Sequence, residues 1–149
     1  MEDTDPIVLQ EPTRFHTSVF GAVNVKNGQF VYQVKDIFNA VTFLEFLEYL
    51  LSFRTDSKII YLILDNSRYH HAKLLQPWLD EHKDELILDF LPPYSPQLNP
   101  IERVWKQTRL KATHNRYFPN LHSLVDAVQT QFSVWSTPNK FLAQLCSIS

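Results

Sequence analysis

The stretch LDNSRYHHAK, residues 64–73, places Asp65, Asn66 and His70 directly after the apolar run KIIYLIL. Polar groups at the end of a buried strand either close a turn or do chemistry. A second acidic residue, Glu102, follows the proline-rich stretch PPYSPQLNP. Two carboxylates without a cysteine cluster suit Mg²⁺ or Mn²⁺, which prefer oxygen ligands. In two-metal enzymes such acids hold ions that activate a water or a 3′-hydroxyl, so the pair is a candidate metal site.

Both acids also have simpler interpretations. Asn99, Pro100 and Glu102 match an ordinary helix start, with Asn as the N-cap, Pro at the first position and Glu at the third. Local sequence alone favours this capping interpretation of Glu102. Asp65 and the asparagine after it likewise form a common turn pair. Local sequence therefore leaves three interpretations of these acids open: a turn, a helix cap and a metal site.

Patterns of apolar residues predict the elements that must position these acids. The β-branched and aromatic stretches at residues 15–25 and 30–35, joined by Lys-Asn-Gly, predict a hairpin with a tight Asn-Gly turn. Two short apolar runs predict strands, one covered on both faces before Asp65 and one ending near Leu91. Apolar residues at helical spacing, with Pro77 delaying the second helix, predict helices at residues 40–53, 71–83, 101–112, 119–135 and 138–146.

The order of these elements predicts the fold class. A hairpin, then a helix, a strand, a helix, a strand and further helices indicate an α/β fold, a mixed sheet with helices on both faces. In such sheets functional residues gather at the carboxyl ends of the parallel strands. If the two short strands are parallel neighbours, Asp65 and Glu102 come from the same edge of the sheet and can converge.

Length and composition limit the classes of protein that fit. A chain of 149 residues with 44% hydrophobic content is the size of one globular domain. The single cysteine excludes an internal disulfide and fits a reducing compartment. Only two glycines leave no phosphate-binding glycine loop. No apolar run approaches the roughly 20 residues that span a bilayer, so we expect an intracellular, cytoplasmic protein without a membrane partner.

Charge is unevenly distributed although the net value is only −2. Residues 2–11 hold four acids and no base, whereas residues 103–116 hold no acid and five bases: Arg103, Lys106, Arg109, Lys111 and Arg116. Such a run matches a surface that tracks phosphates. A solvated helix face is the alternative.

Two motifs together point to a family. LDNSRYHHAK, followed by FLPPYSPQLNPIERVW, resembles the paired signature of the DDE transposases of the mariner-related insertion sequences. The separation of Asp65 and Glu102 also resembles the family's spacing between its second Asp and its Glu. SVFGAVNVKNGQF resembles the hairpin before these motifs, so the likeness covers roughly residues 15–125.

The resemblance implies a ribonuclease-H-like catalytic domain and gives particular residues a role. Asp65 and Glu102 would be the catalytic carboxylates and would bind Mg²⁺ or Mn²⁺. Asn66 and His70 would orient the site. The residues in contact with DNA phosphates would be Arg103, Lys106 and Arg109.

The resemblance also implies an activity. A transposase of this kind hydrolyses a phosphodiester at the transposon end and joins the 3′-hydroxyl to target DNA. Its partners would be the terminal repeats and the target DNA, and it would act as a homodimer. We expect it in the cytoplasm, at the nucleoid when bound to DNA.

The amino-terminal part departs from the family. The family's first catalytic Asp ends the central strand of the sheet, and we expect this chain to lack that strand and a helix-turn-helix region. Asp3 and Asp5 lie in an acidic stretch with no apolar strand before them, so neither is assigned the role. Asp36, at the exit of the hairpin, is a conceivable stand-in, although an edge strand would place it far from Asp65.

The expected organisation is a single catalytic-type domain. It would comprise an acidic tail at residues 1–14, a ribonuclease-H-like core at residues 15–135 and a carboxy-terminal helix at residues 136–149. Two alternatives to an active transposase remain open at this stage. One is a catalytically inactive, truncated remnant that acts in DNA binding or dimerisation, and the other is a metal-dependent nuclease unrelated to transposition.

Overall fold

The computed structural model describes residues 2–3, 7–10 and 16–147. Its strands are β1 (Glu2–Asp3), β2 (Ile7–Gln10), β3 (His16–Val23), β4 (Phe30–Lys35), β5 (Ile60–Leu64) and β6 (Leu86–Phe90). Its α-helices are α1 (Ala40–Leu51), α2 (Gln76–Glu81), α3 (Ile101–Thr108), α4 (Leu121–Trp135) and α5 (Lys140–Leu145). In the part of the chain described, no helix has both the length and the apolar character needed to cross a bilayer.

The described strands form one mixed sheet. β3 pairs antiparallel with β4 on one side. On its other side it pairs antiparallel with β2 along its first half and with β1 at its end. β1 also runs parallel to β5, and β5 runs parallel to β6. The registers align Glu2 with Ile63, and Leu64 with Phe90. The carboxyl ends of β1, β5 and β6 therefore lie at the same edge of the sheet.

A short strand occupies the centre of this sheet. β1 lies between β3 and β5, where the sequence predicts that the usual first strand is missing. That expectation, and the description of residues 1–14 as a tail, are wrong for the described residues, because β1 and β2 both pair in the sheet. Two acidic residues carry no strand propensity, so nothing in the sequence pattern marks Glu2–Asp3 as a strand.

Helices cover both faces of the sheet, which confirms the predicted mixed α/β class. On one face α1 packs on β3 and β5 around a buried cluster that includes Phe20, Phe43, Phe46, Leu47 and Leu62. On the other face α3, α4 and α5 pack on β3 and β4 around Phe30, Val104, Trp105, Phe132 and Leu142. The sheet is thereby fixed between two apolar layers.

The outer face of β5 is less covered than its sequence predicts. Leu62 and Leu64 are fully buried, but Tyr61, which precedes Leu62 in the strand, is 55% exposed. The expectation that this strand is covered on both faces is therefore wrong at Tyr61. A tyrosine within an apolar run satisfies the pattern of a two-sided strand, although its hydroxyl lets it lie at a surface.

The predicted hairpin is present with a longer turn. The Asn24 N–H donates to the Gln29 carbonyl at 2.9 Å, and the Gly28 N–H donates to the Asn24 carbonyl at 2.7 Å. Four residues, 25–28, thus lie inside the pair formed by Asn24 and Gln29, instead of the two of a tight Asn-Gly turn. Gly28 takes the left-handed conformation, with φ +77°. The Asn139 side-chain amide, from the start of α5, donates to the Gly28 carbonyl at 2.8 Å, so α5 closes over the turn.

Two helices differ locally from a simple pattern. Two 3₁₀ turns, Arg68–His71 and Lys73–Leu75, precede α2, in which Pro77 is in the first turn. This confirms that the proline delays the helix. After α3 the chain continues as a π-helical turn, Arg109–Thr113. The helix predicted over residues 101–112 is therefore α-helical in its first part and π-helical in its second.

Candidate active site

Asp65 is held in place at the end of β5. Its Oδ1 accepts a hydrogen bond from the Ser67 N–H at 3.0 Å, the contact of an Asx turn. His70 Nδ1 lies 3.2 Å from the same oxygen and 3.1 Å from the Asp65 carbonyl. The Asp65 side chain remains 26% exposed. Asp65 therefore closes the turn and also presents a partly exposed carboxylate in a fixed orientation.

His70 is a buried positioning residue. Its side chain is fully buried, with the rings of Phe43 and Tyr69 each 4.5 Å away between centroids. Both oxygens near Nδ1 belong to Asp65 and can only accept, so Nδ1 carries the proton. Nε2 is buried and has no hydrogen-bond partner among the described residues. His70 is therefore part of the core and not a surface group.

Asn66 connects the exits of the two parallel strands. Its side-chain amide donates to the Leu91 carbonyl, beyond the end of β6, and its Oδ1 lies 3.1 Å from His71 Nε2. The His71 ring stacks on Phe90 with centroids 4.0 Å apart. The Leu91 N–H in turn donates to the Leu64 carbonyl at 2.8 Å. The edge of the sheet beside Asp65 is therefore braced by side chains from both strands.

Glu102 lies in the first turn of α3 and is partly buried. The predicted cap is shifted by one residue, because Pro100 is the N-cap of α3 and no side chain caps the helix. The side chain of Asn99, a buried residue, accepts from the Ile101 N–H at 3.4 Å, and its carbonyl accepts from the Glu102 N–H at 3.0 Å. These contacts of Asn99 fix the start of the helix, and the proline-rich loop connects Glu102 to the end of β6. The contacts of Asn99 and a site role for Glu102 are therefore compatible.

A hollow of about 470 Å³ opens between the turn after β5 and the proline-rich loop. Asp65, Asn66 and Ser67 form one wall, and residues 91–96 form the other. Tyr94 lies in this loop with its side chain fully exposed and with φ +57°. Sequence reasoning missed both Ser67 and Tyr94, since neither belongs to a metal-ligand type and exposure cannot be read from a loop of prolines.

The donor types fit a hard metal ion, but the described side chains do not complete a site. Asp65 and Glu102 offer carboxylate oxygens, the ligands that Mg²⁺ and Mn²⁺ take. Among described side chains no group of three or more His, Cys, Asp or Glu is close enough together to hold a metal ion. Mg²⁺ commonly takes one or two carboxylates and completes its shell with water and substrate phosphate oxygens.

β1 places two acidic residues beside the strand that leads to Asp65. In the register Glu2 is level with Ile63, and Asp3 is one residue further along. The sequence left Asp3 unassigned because no strand was recognised there. Asp36, by contrast, follows β4, which is separated from β5 by β3 and β1. Three strand spacings amount to about 14 Å, so the expectation that Asp36 is remote from Asp65 agrees with the topology.

The three basic residues assigned to DNA phosphates are placed differently. The Arg103 guanidinium donates to the carbonyls of Leu145 and Ser147 at 3.0 and 3.3 Å, at the end of α5. Lys106 and Arg109 are exposed, one and two helical turns after Glu102. Lys106 and Arg109 thus lie on the same side of the helix as Glu102, whereas Arg103 contacts the end of α5.

Comparison with solved structures identifies the class to which this fold and site belong. The catalytic domain of Mos1 transposase, solved with Raltegravir and Mn, superimposes with a TM-score of 0.74 at 16% identity, covering 97% of this chain and 75% of that one. The catalytic core of BIV integrase superimposes with a TM-score of 0.57 at 16% identity, covering 87% and 81%. The chain therefore has the ribonuclease-H-like fold of transposase and integrase catalytic cores, as predicted.

Sequence comparison gives the family. The family model of the DDE superfamily endonucleases matches residues 1–125, and the chain belongs to this family. It is 33% identical over 108 residues to the uncharacterized protein y4pE/y4sA of Sinorhizobium fredii (strain NBRC 101917 / NGR234), covering 72% of this chain and 76% of that protein. It is 29% identical over 91 residues to the uncharacterized 39 kDa protein of insertion element IS630 from Shigella sonnei, covering 61% and 26%. The resemblance to mariner-related insertion-sequence transposases is confirmed.

Proposed function

We propose that this chain is a transposase catalytic domain, a DDE endonuclease and strand transferase that acts on the DNA of transposon ends. The observation that supports this most is the edge formed by β5 and β6. There Asp65 is oriented by His70 beside a hollow, and the other wall of the hollow belongs to the loop that leads to Glu102. The reaction would be phosphodiester hydrolysis followed by joining of the 3′-hydroxyl to target DNA.

Asp65 and Glu102 would hold Mg²⁺ or Mn²⁺ at this edge of the sheet. When bound, such an ion supplies an activated hydroxyl and stabilises charge at the phosphodiester. The protein's own contribution is orientation. The Ser67 N–H and the His70 Nδ1–H hold one Asp65 oxygen, and the Asn66 side chain keeps the two strand exits together.

The surface on the same side of α3 would bind the DNA backbone. Lys106 and Arg109 are the proposed phosphate contacts, because they are exposed and follow Glu102 at helical spacing. Arg103 was included in the same prediction, but its contact with the end of α5 makes it the weakest of the three. The partners would be terminal repeats and target DNA, the assembly a homodimer, and the site of action the cytoplasm, at the nucleoid.

The test is cleavage by carboxylate variants. Asp65→Asn and Glu102→Gln should each reduce Mn²⁺-dependent nicking of supercoiled plasmid by more than the roughly 100-fold that loss of an outer-shell partner costs. DNA binding, measured by fluorescence anisotropy, should stay near the wild-type value. Asp84→Asn and Glu81→Gln are matched controls, because both residues are exposed and precede the amino end of β6. Nicking retained in either test variant would contradict the proposed metal role.

A second candidate is a DNA-binding relative that does not cleave. It is favoured by the described side chains, of which only two carboxylates, Asp65 and Glu102, are assigned to the site. Titration calorimetry with MnCl₂ separates the two candidates without relying on activity. The transposase proposal expects Mn²⁺ binding that Asp65→Asn abolishes, whereas the second candidate expects DNA binding with no such Mn²⁺ site.

A further inference from the structure

Tyr94 has an unusual combination of conformation and exposure. Its side chain is 100% exposed, and its φ of +57° lies in the left-handed region that aromatic residues rarely adopt. The other non-glycine residues with positive φ in the described chain are Asp56, Ser57 and Asn115, which are short and polar. A strained backbone that gains no packing from its side chain calls for a functional explanation.

The loop that carries Tyr94 is anchored at both ends. On one side the Leu91 carbonyl accepts from the Asn66 side chain, and the Leu91 N–H donates to the Leu64 carbonyl at 2.8 Å. On the other side the Asn99 N–H donates to the Pro96 carbonyl at 3.0 Å, and Asn99 is buried. Prolines at positions 92, 93 and 96 restrict the backbone between these anchors. The loop therefore presents the Tyr94 ring in a defined place.

That place is the rim of the hollow beside Asp65. The lining combines a carboxylate, an amide and a hydroxyl, from Asp65, Asn66 and Ser67, with proline rings on the opposite side. A fully exposed phenol ring offers its faces to a planar ligand, and unpaired nucleobases stack on such rings irrespective of sequence. A base inside a duplex is stacked between its two neighbours and has no free face to offer.

We propose that Tyr94 stacks on an unpaired base of the DNA strand at the active site and so selects DNA whose end is locally single-stranded. This inference rests on the proposed function and adds a specificity residue to it. Tyr94 would position the strand and would take no part in the chemistry at the phosphodiester.

The test compares two labelled DNAs by fluorescence anisotropy with the full chain, one a blunt duplex and the other the same duplex with a single-stranded overhang. Tyr94→Ala should weaken binding of the overhang DNA by at least about fivefold, as expected for loss of one stacked base, and leave blunt-duplex binding unchanged. Tyr94→Phe, which keeps the ring, should bind both DNAs as the wild type does. Tyr117→Ala is the matched control, because Tyr117 is 83% exposed but does not line the hollow.

A further variant and a photocross-link distinguish loss of stacking from unfolding. Tyr94→Gly should also lose overhang selectivity while raising the urea midpoint, since glycine relieves the positive φ, and this excludes unfolding as the cause. A 5-bromodeoxyuridine in the overhang should photocross-link to Tyr94. Equal loss on both DNAs, or no loss on the overhang DNA, overturns the Tyr94 inference while the proposed function stands. If the wild type binds neither DNA, both fall.

Discussion

At the scale of single residues, His70 links the apolar core to the acidic edge of the sheet. One side of its ring packs on Phe43 from α1, and its Nδ1 orients Asp65. The buried Nε2 lacks a partner among the described residues. Keeping an unsatisfied nitrogen in the core costs stability, which indicates that the Nδ1 contact with Asp65 is what the histidine provides.

His70→Phe and His70→Ala separate packing from orientation. The phenyl ring fills the same space, so we expect unfolding free energy within about 1.5 kcal/mol of wild type, whereas the cavity left by alanine should cost about 2–4 kcal/mol. Both variants lose the hydrogen bond to Asp65, and Mn²⁺ affinity should fall by about 10–100-fold in each. Urea unfolding and titration calorimetry provide the two measurements.

His71→Ala is the neighbouring control for these variants. His71 is exposed and contacts Asn66 and Phe90, not Asp65, so Mn²⁺ affinity should change little, while loss of the stack on Phe90 should lower stability somewhat. Normal Mn²⁺ binding by His70→Phe would show that the histidine serves packing alone.

The sequence indicated some of these proposed site residues and gave no sign of others. Asp65 and Glu102 were proposed because their two motifs together resemble the family's signature, whereas each local pattern alone also fits a turn or a helix start. The burial of His70 could not, since it depends on Phe43, from a segment more than 20 residues earlier. Tyr94 was equally hidden, because its exposure depends on how the loop is anchored.

At the scale of elements, Asn139 joins the hairpin to α5. Its Oδ1 caps the helix by accepting from the Leu142 N–H at 2.8 Å, and its Nδ2 donates to the Gly28 carbonyl at 2.8 Å. Its backbone N–H also donates to the Asn27 carbonyl at 2.8 Å. One side chain thus performs a local and a long-range role at the same time.

Asn139→Ala should therefore cost more stability than loss of a cap alone. Asn120→Ala removes only the cap of α4, a bond to the Ser123 N–H of 2.9 Å, and should cost about 1 kcal/mol. Asn139→Ala also leaves the Gly28 carbonyl without the amide, so we expect about 1 kcal/mol more. Urea unfolding of both variants measures the difference, and equal costs would show that the contact with the turn contributes nothing.

Element prediction failed where pairing outweighs local preference. The hairpin, α1 and the two parallel strands follow from apolar patterns of sufficient length. β1 has two residues and both are acidic, so only its neighbours β3 and β5 make it a strand. The turn at Gly28 is longer than the Asn-Gly pair predicts, and α5 packs against it.

At the scale of the whole molecule, the proposed function requires the charge distribution to support the approach to DNA. The net charge of −2 gives no general attraction, so phosphate binding would depend on local clusters such as the exposed bases of α3 and the turn after it. Sequence composition could show the cluster, but only the fold separates Arg103, which contacts α5, from Lys106 and Arg109.

The double variant Lys106→Gln, Arg109→Gln should weaken DNA binding and reduce the slope of log K against log salt by about 2, because two phosphate contacts are lost. Fluorescence anisotropy over a range of KCl concentrations gives the slope. Lys26→Gln, Lys58→Gln is the charge-matched control, since both residues are exposed near the opposite edge of the sheet. An equal change of slope in the control would mean that binding is not localised to α3.

The contact between Asn139 and Gly28 also bears on the order in which the chain folds. The two residues are 111 positions apart, so the turn between β3 and β4 is completed by a helix that is synthesised more than 100 residues later. A contact of such separation requires closure of a long loop and slows folding. During translation the hairpin would leave the ribosome with its turn uncovered, and the native arrangement would form only after α5 has emerged.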